Sequence, residues 1–223
     1  MSKPSLFLVF GATGGTGKHF VNKALQDGHK VRVLVRSPHK LGDQAKNLDV
    51  WEGSLEEPEK IDTNKLCQGV DYVCAMVGDR ERQQSDNRIV FRFMEKLVPS
   101  MREQGVKRFL YQAGGLSRPY QGSLGIILGT IRYTIARSFN GQHEDNEAVM
   151  EYLETKARDL DWIVHRAGIG SDGASKGTLG RSTTSPSIGT HIDSADYNYR
   201  QLIAESKAAI HTSDLSNYSS TLV

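Results

Sequence analysis

Short apolar runs alternate along the chain with longer segments of helical periodicity. The runs are of strand length and end at glycine or polar residues. They predict strands at Leu6–Phe10, Val31–Val35, Leu48–Trp51, Asp71–Met76, Arg108–Tyr111 and Asp161–His165. The segments between them predict helices at Lys18–Gln26, Lys60–Gln68, Ile89–Glu103 and Glu144–Ala157. This alternation favours an α/β domain with a doubly wound parallel sheet, covered by helices on both faces.

A glycine-rich turn, GATGGTG, joins the first predicted strand to the first predicted helix. In such a unit the first glycine permits a tight turn, the second lets the backbone approach a pyrophosphate, and the third lets helix and strand pack closely. The phosphate then meets the free N–H groups at the positive end of the helix. A structural turn without a ligand is the alternative. The predicted dinucleotide-binding residues of the turn are Gly11, Thr13, Gly14, Gly15, Thr16 and Gly17.

The end of the second predicted strand indicates which dinucleotide binds. NAD-binding proteins usually carry an acidic residue there, which accepts hydrogen bonds from the ribose hydroxyls. Here Arg36 follows the strand, Lys40 is nearby, and no acidic residue lies between them. A guanidinium can bind a 2′-phosphate through two hydrogen bonds, whereas a carboxylate would repel it. The sequence therefore predicts NADP(H) as the cofactor, with a solvated surface arginine as the alternative interpretation.

Length and composition narrow the class of protein. The chain has 223 residues, 38% of them hydrophobic and 24% charged, which is typical of one globular domain spanning 1–223. A net charge of +2 without a block of basic residues argues against nucleic acid as a partner. Leu124–Ile135 is interrupted by glycine and arginine, so no membrane partner is predicted. With no signal peptide and two cysteines expected to be buried thiols, the chain is expected to be cytoplasmic.

Other chemistries have no matching sequence pattern. The chain contains no CxxC or HExxH string, so no metal site is predicted. It contains no GxSxG string, so no serine nucleophile elbow is predicted either. Arginines after the fourth strand are either a solvated helix face or a rim that attracts an anionic ligand. They are Arg80, Arg82, Arg88 and Arg92.

Several segments together resemble the atypical short-chain dehydrogenases of the NmrA-like group, over about residues 5–170. The short length resembles the branch of biliverdin-reductase-B and flavin-reductase-like proteins. The segments are GATGGTG at 11–17, VRVLVRSP at 31–38, GSL at 53–55, GVDYVCAMVG at 69–78, GVKRFLYQAGG at 105–115 and DLDWIVHRAG at 159–168.

The resemblance implies a single Rossmann domain with strand order 3-2-1-4-5-6, a bound NADP(H) and a small C-terminal substrate region at about 166–223. It also implies further cofactor contacts, carried over by position. These are Ser54 and Leu55 beside the adenine, Met76, Val77 and Gly78 after the fourth strand, and Gln112 and Ala113 near the nicotinamide ribose.

The catalytic residues of the wider dehydrogenase family have no match in this chain. Those enzymes use a serine after the fifth strand and a Tyr-x-x-x-Lys pair, but here no hydroxyl group follows the strand until Ser117. A string from Tyr152 to Lys156 exists, but it falls at the end of its predicted helix, away from the carboxyl ends of the strands where ligands bind. Residue-by-residue matching places Gln142 and Asn146 at the tyrosine and lysine positions.

The polar start of the same predicted helix is better placed for catalysis. We predict His143, Asn146 and Glu147 as the catalytic residues, with His143 as an acid or base near neutral pH. A solvated or capping histidine is the alternative interpretation.

Two classes of function fit these observations. One is an NADP(H)-dependent enzyme that reduces, or isomerises with hydride return, a small and mostly apolar metabolite. The apolar segment Leu116–Phe139 is then expected to form part of the substrate pocket. The other is a non-enzymatic NADP sensor that binds a protein partner. The sequence leaves the oligomeric state open.

Overall fold

Strands and helices alternate through the described residues 3–41, 46–78 and 88–218 of the computed structural model. The strands are β1 Leu6–Phe10, β2 Lys30–Val35, β3 Leu48–Glu52, β4 Tyr72–Ala75, β5 Arg108–Gly114, β6 Asp161–Ala167, β7 Ile169–Ser171, β8 Leu179–Ser182, β9 Gly189–Thr190 and β10 Thr212–Tyr218. The α-helices are α1 Gly15–Gln26, α2 Thr63–Cys67, α3 Ile89–Glu103, α4 Gly125–Tyr133, α5 Asn140–Lys156 and α6 His191–Ile203. Short 3₁₀ helices are found at Pro58–Lys60, Pro38–Leu41 and Arg137–Phe139.

One sheet organises the molecule, with the strand order β3-β2-β1-β4-β5-β6-β10-β8. The seven strands from β3 to β10 in this order run parallel to one another, and β8 at the edge is antiparallel to β10. The predicted order 3-2-1-4-5-6 is confirmed, and two further strands extend it. The order reverses between β1 and β4, which creates a crevice at the carboxyl ends of these strands where ligands bind in such folds.

Helices cover both faces of this sheet, as the sequence pattern predicted. Alternate residues of β1 pack into different hydrophobic clusters: Leu8 and Phe10 face the cluster with α3 and α5, whereas Phe7 and Val9 face the cluster with α1 and α6. This alternation follows from the two-residue period of a strand. Because both of its faces are buried, β1 is apolar throughout.

Two helices begin earlier than the sequence pattern predicted. Helix α1 starts at Gly15, so the glycine turn itself forms the first helical turn. Helix α5 starts at Asn140, which places the polar residues 142–147 inside the helix. The helix predicted at Lys60–Gln68 is instead a 3₁₀ helix followed by α2, whose first turn is capped by Asp62. Periodicity located the helices but did not fix their first residues.

The apolar segment before α5 differs from the sequence expectation. Helix α4 exposes Ile126 by 89% and Ile127 by 76%, and Ile135 beyond it is 83% exposed. Of the described residues, none between 116 and 139 lines the cavity at the carboxyl edge of the sheet, where the strand order reverses between β1 and β4. The one buried side chain of α4 is Arg132, which interacts with Glu147 of α5.

Helix lengths and cysteine positions bear on the location of the protein. In the described ranges, every helix is too short or too polar to span a lipid bilayer. Cys67 and Cys74 are free and buried, as expected, and burial raises the pKa of Cys67 to about 12. The cytoplasmic location expected from the sequence stays a prediction.

Candidate functional site

A cavity of about 280 Å³ lies at the carboxyl edge of the sheet, over the point where the strand order reverses. It runs from the glycine turn to the starts of α3 and α5. Its lining residues come from separate loops that the parallel sheet brings together. They are Gly11, Thr13, Gly14, Leu34, Val35, Arg36, Lys40, Gly53, Ser54, Leu55, Glu56, Met76, Val77, Gly78, Arg88, Ile89, Val90, Gly141, Gln142, Asp145 and Asn146.

The glycine turn is shaped by contacts that exclude side chains. Gly11 has a φ of +80°, and a Cβ there would lie 2.2 Å from the carbonyl oxygen of Met76. A Cβ on Gly17 would lie 2.0 Å from the carbonyl oxygen of Gly11, so this glycine permits close packing of α1 on β1. Gly14 lines the cavity at the N-cap of α1. Gly14 thus brings the N-terminus of α1, whose first N–H groups have no partner within the helix, to the cavity. This arrangement fits a pyrophosphate.

Two other residues of the turn face away from the cavity. The Thr16 side chain is buried, and its hydroxyl hydrogen-bonds with Nδ1 of His191 at 3.0 Å and accepts from Nε2 of Gln112 at 3.4 Å. The His191 ring covers Gly15, where a Cβ would lie 2.6 Å from it. The side chain of Thr16 therefore fixes α1 to α6. Neither residue lines the cavity, so a cofactor contact of Gly15 and Thr16 through their backbone N–H groups stays a prediction.

One end of the cavity carries the residues predicted to bind the adenosine. Arg36 and Lys40 line it together with Ser54 and Leu55. The structure adds an acid that the sequence reading missed: Oε1 of Glu56 lies 3.5 Å from Nη1 of Arg36. Glu56 lies in the loop after β3. Since β2 and β3 pair in parallel, their carboxyl ends lie side by side, and the loop after β3 could have been searched for an acid near Arg36.

The residues predicted after the central strands divide into two groups. Met76, Val77 and Gly78 line the cavity, whereas Gln112 and Ala113 do not. The Gln112 side chain points to the α6 face, where its Oε1 accepts a hydrogen bond of 2.6 Å from Nδ2 of Asn198. Ala113 is buried. The contact of these two residues with the nicotinamide ribose stays a prediction.

A carboxylate of α5 caps the start of α3. Both carboxylate oxygens of Asp145 accept backbone hydrogen bonds from this helix, from Val90 and Phe91 at 2.9 Å each. Burial raises the pKa of Asp145, although these bonds favour its ionised form. Arg88, just before α3, also lines the cavity, whereas Arg92 lies on the exposed side. Arg80 and Arg82 lie outside the described residues.

Asn146 is the predicted catalytic residue that lines the cavity. Its buried amide is held on both sides: Tyr111 donates a hydrogen bond of 2.6 Å to Oδ1, and Nδ2 donates one of 3.0 Å to Oγ of Ser117. Gln142, one turn earlier in α5, also lines the cavity. Residue-by-residue matching had placed both amides at the catalytic positions of the wider family, and the structure brings them to the same cavity wall.

His143 lies behind this wall and does not line the cavity. Its Nδ1 hydrogen-bonds with Oγ of Ser117 at 3.2 Å, and its buried Nε2 has no partner among the described residues. Burial, together with the nearby charge of Arg132, lowers the pKa of His143 to about 4. The imidazole is thus neutral at pH 7, and its titration lies below the neutral range expected from the sequence.

Glu147, the third predicted catalytic residue, forms ion pairs with two arginines. It contacts Arg132, and its Oε2 lies 2.9 Å from Nη2 of Arg118. Burial opposes ionisation of Glu147, but the hydrogen bonds from both arginines hold its pKa below the usual value. Glu147 does not line the cavity, and these contacts join α4, α5 and the loop after β5.

The Tyr152 and Lys156 pair lies at the far end of α5. The Tyr152 ring packs edge-on against the Phe91 ring, with 6.1 Å between the ring centroids. The Lys156 carbonyl accepts a hydrogen bond from Arg102. Ten residues of helix separate Lys156 from Asn146, which corresponds to about 15 Å. Neither residue lines the cavity, in agreement with the sequence argument that this string lies away from the carboxyl ends of the strands.

A second buried histidine, His165, lies in a polar cluster on the α6 face. Its ring nitrogens contact Oδ1 of Asn198 at 2.6 Å and Oγ of Ser216 at 2.8 Å. Since Oδ1 can only accept, Nδ1 carries the proton and Nε2 accepts from the serine. Burial lowers the pKa of His165 to about 4, although its bond with Asn198 opposes this shift.

We expect the free energy of unfolding to decrease as the pH falls from about 6.5 toward 4. His143 and His165 have lowered pKa values of about 4 in the folded chain, so between these pH values the unfolded chain binds more protons. Each histidine should contribute up to about 3 kcal/mol. Urea unfolding at several pH values measures the slope. His165→Gln should make the free energy of unfolding depend less on pH, whereas His39→Gln, at an exposed position, should not. An equal slope in the unmodified protein and both variants would contradict the prediction.

Comparison with known sequences agrees with this geometry. Residues 11–197 match the family model described as NAD(P)H-binding. The photosystem II assembly factor Ycf39 of Guillardia theta is 32% identical over 111 residues, which cover 47% of this chain and 33% of that protein. The match thus spans about a third of the length of this curated relative.

Solved structures share the fold at low sequence identity. The oxidoreductase ylbE from Lactococcus lactis superposes with a TM-score of 0.75 and 16% identity, over 95% of this chain and 90% of that chain. ChuY, an anaerobillin reductase from Escherichia coli O157:H7, has a TM-score of 0.72 and 16% identity, over 95% and 96% of the two chains. At such identities the likeness establishes the fold alone.

Proposed function

Because the chain belongs to the NAD(P)H-binding family, we propose that it is an NADP(H)-dependent oxidoreductase acting on a small organic metabolite. The observation that carries the proposal is the continuity of one cavity. It connects the glycine turn, the Arg36 and Lys40 end, and the amide wall formed by Gln142 and Asn146. A dinucleotide needs an adenosine site at one end and a site for the reacting ring at the other, with a pyrophosphate site between them.

The residues of the turn and of β4 would hold the cofactor. The N–H groups at the start of α1 would bind the pyrophosphate, and Arg36 with Lys40 would bind the 2′-phosphate. Met76, Val77 and Gly78 would lie along the middle of the cofactor, where Gly11 already approaches the Met76 carbonyl. When bound, the cofactor supplies or accepts a hydride.

Asn146 would orient the substrate beside the cofactor. An amide N–H can donate a hydrogen bond to a substrate carbonyl and stabilise the negative charge that develops there. Tyr111 and Ser117 fix the amide in one orientation, so the side chain pays little ordering entropy on binding. His143 would act as a positioning residue, because it reaches Asn146 through Ser117.

A redox-neutral isomerisation is the second candidate function. The side chains of the cavity wall support it, because they offer no evident proton donor. The side chains that α5 presents to the cavity are the amides Gln142 and Asn146, and Asp145, whose oxygens cap α3. Amides donate hydrogen bonds but do not release protons at neutral pH. A reaction that removes a hydride and returns it to the same substrate needs no net proton from the protein. Assays of nicotinamide absorbance with carbonyl, flavin and imine substrates separate net reduction from isomerisation.

We expect the protein to bind NADP(H) more tightly than NAD(H), and Arg36→Ala to remove most of the difference. Loss of hydrogen bonds to a charged phosphate should cost about 1.5–3 kcal/mol, or roughly 10- to 150-fold in the dissociation constant for NADP(H). NAD(H) lacks the phosphate, so its affinity should change little. Calorimetric titration of both cofactors measures these constants.

Arg158→Ala is the matched control for Arg36→Ala. Arg158 is also an exposed arginine near a carboxylate, 3.5 Å from Glu154, but it does not line the cavity. Its replacement should leave both affinities unchanged. Equal affinities of the unmodified protein for the two cofactors would contradict the NADP(H) preference.

A further inference from the structure

We propose that Glu56 is a second specificity-determining residue of the cavity, which favours NAD(H) and opposes the preference set by Arg36. The inference rests on the proposed function, because it concerns the adenosine end of the same cofactor site. It predicts that the preference of this protein for NADP(H) is smaller than Arg36 alone would give.

The position of Glu56 carries the argument. Its side chain lines the cavity in the loop after β3, with Oε1 3.5 Å from Nη1 of Arg36. The Glu56 side chain is 33% exposed, so it is partly shielded and still accessible to a ligand. Its backbone N–H donates to Oγ of Ser54, which lies on the same cavity wall. The acid and the arginine therefore face the same space.

The chemistry of the ribose explains why this pair would select between cofactors. A carboxylate accepts hydrogen bonds from hydroxyl groups, so Glu56 can bind the 2′-hydroxyl of NAD(H). The same carboxylate repels the 2′-phosphate of NADP(H), because two negative charges a few ångströms apart near a protein surface interact appreciably. Glu56 also competes with that phosphate for the guanidinium of Arg36.

The matched control is the next residue along the chain. Glu57 carries the same charge, but its Oε1 accepts a hydrogen bond of 2.5 Å from Lys60 and the residue does not line the cavity. Glu57→Gln therefore removes one negative charge from the same loop without changing the space beside Arg36. A long-range effect of net charge would appear in both variants, whereas a local effect appears in Glu56→Gln alone.

The experiment is a titration of NADPH and NADH into the unmodified protein, Glu56→Gln, Glu56→Lys and Glu57→Gln. In Glu56→Gln, NADPH should bind tighter and NADH weaker, so that the ratio of dissociation constants moves about tenfold toward NADPH. Glu56→Lys should move it further in the same direction, because it adds a cation beside the phosphate. Glu57→Gln should leave the ratio unchanged. Circular dichroism checks that each variant is folded.

The outcomes separate this inference from the proposed function. If the unmodified protein binds neither cofactor, the proposed function fails and the inference fails with it. If the protein binds them but both Glu56 variants leave the ratio unchanged, the inference alone is overturned. It is also overturned if Glu57→Gln moves the ratio as far as Glu56→Gln does.

Discussion

Gly14→Val is expected to abolish binding of NADPH and NADH while the chain still folds. Gly14 has extended backbone angles, φ −77° and ψ 170°, which other residues adopt without strain. A Cβ there has one close neighbour, the carbonyl oxygen of Gly11 at 3.2 Å, and the larger side chain would occupy the space where the pyrophosphate approaches. The dissociation constants should rise by about 100-fold or more, measured by titration with circular dichroism as the check on folding.

Two other glycines make this result specific. Gly17→Val should prevent stable folding, because its Cβ would lie 2.0 Å from the backbone oxygen of Gly11. Gly129→Ala in α4 should change neither folding nor cofactor affinity, because nothing lies within 4 Å of its Cβ position. Unchanged cofactor affinity in a folded Gly14→Val protein would mean that the turn is structural only.

Asn146→Ala is expected to lower turnover by about 10²–10³-fold, the usual effect of removing one hydrogen-bond donor that stabilises developing charge. Cofactor affinity should also fall, because Asn146 lines the cavity. The variant leaves the buried Tyr111 hydroxyl without its acceptor, so its stability must be measured as well. Tyr111→Phe tests the positioning role separately: it keeps the Asn146 amide but removes one of the two groups that orient it. A folded Asn146→Ala protein with unchanged turnover would contradict the proposal.

Tyr152→Phe and Lys156→Ala should leave turnover within a few fold of the unmodified protein. Tyr152 packs against Phe91, and Lys156 is exposed at the end of α5. His143→Ala should lower turnover more than either change, because it disturbs Ser117 and, through it, Asn146. A loss of 100-fold in a folded Tyr152→Phe protein would show that the catalytic site lies at the other end of the helix.

Glu147→Ala should also lower turnover more than the changes at the far end of α5, and it should reduce stability. Replacing Glu147 leaves the buried Arg132 without its carboxylate, and an uncompensated buried charge is costly. Glu147→Gln separates the two effects, since it keeps a hydrogen-bond acceptor for Arg132 and removes the charge. Turnover equal to that of the unmodified protein in folded Glu147→Ala would contradict the prediction.

Local patterns in the sequence determined the alternation of strands and helices and the position of the glycine turn, and the family resemblance added the strand order. The turn at 11–17 follows from short-range rules, because a strand, its glycine turn and the next helix are consecutive in the chain. The order 3-2-1-4-5-6 was implied by the family resemblance and is confirmed, whereas the places of β10 and β8 beyond β6 came from the tertiary structure alone. Residues after β2, β3 and β4 also line the cavity as predicted, since the carboxyl ends of parallel strands must lie along one edge of the sheet.

Only the tertiary structure decided what each polar side chain contacts. The pattern could not show that Thr16 and Gln112 turn toward α6, that Glu147 pairs with two arginines, or that His143 is buried and neutral. These properties depend on partners between 15 and 175 positions away in the chain, and no local spacing encodes such distances. Glu56 is the sharpest case: the sequence has no acid directly after β2, yet the pairing of β2 with β3 places its carboxylate beside Arg36.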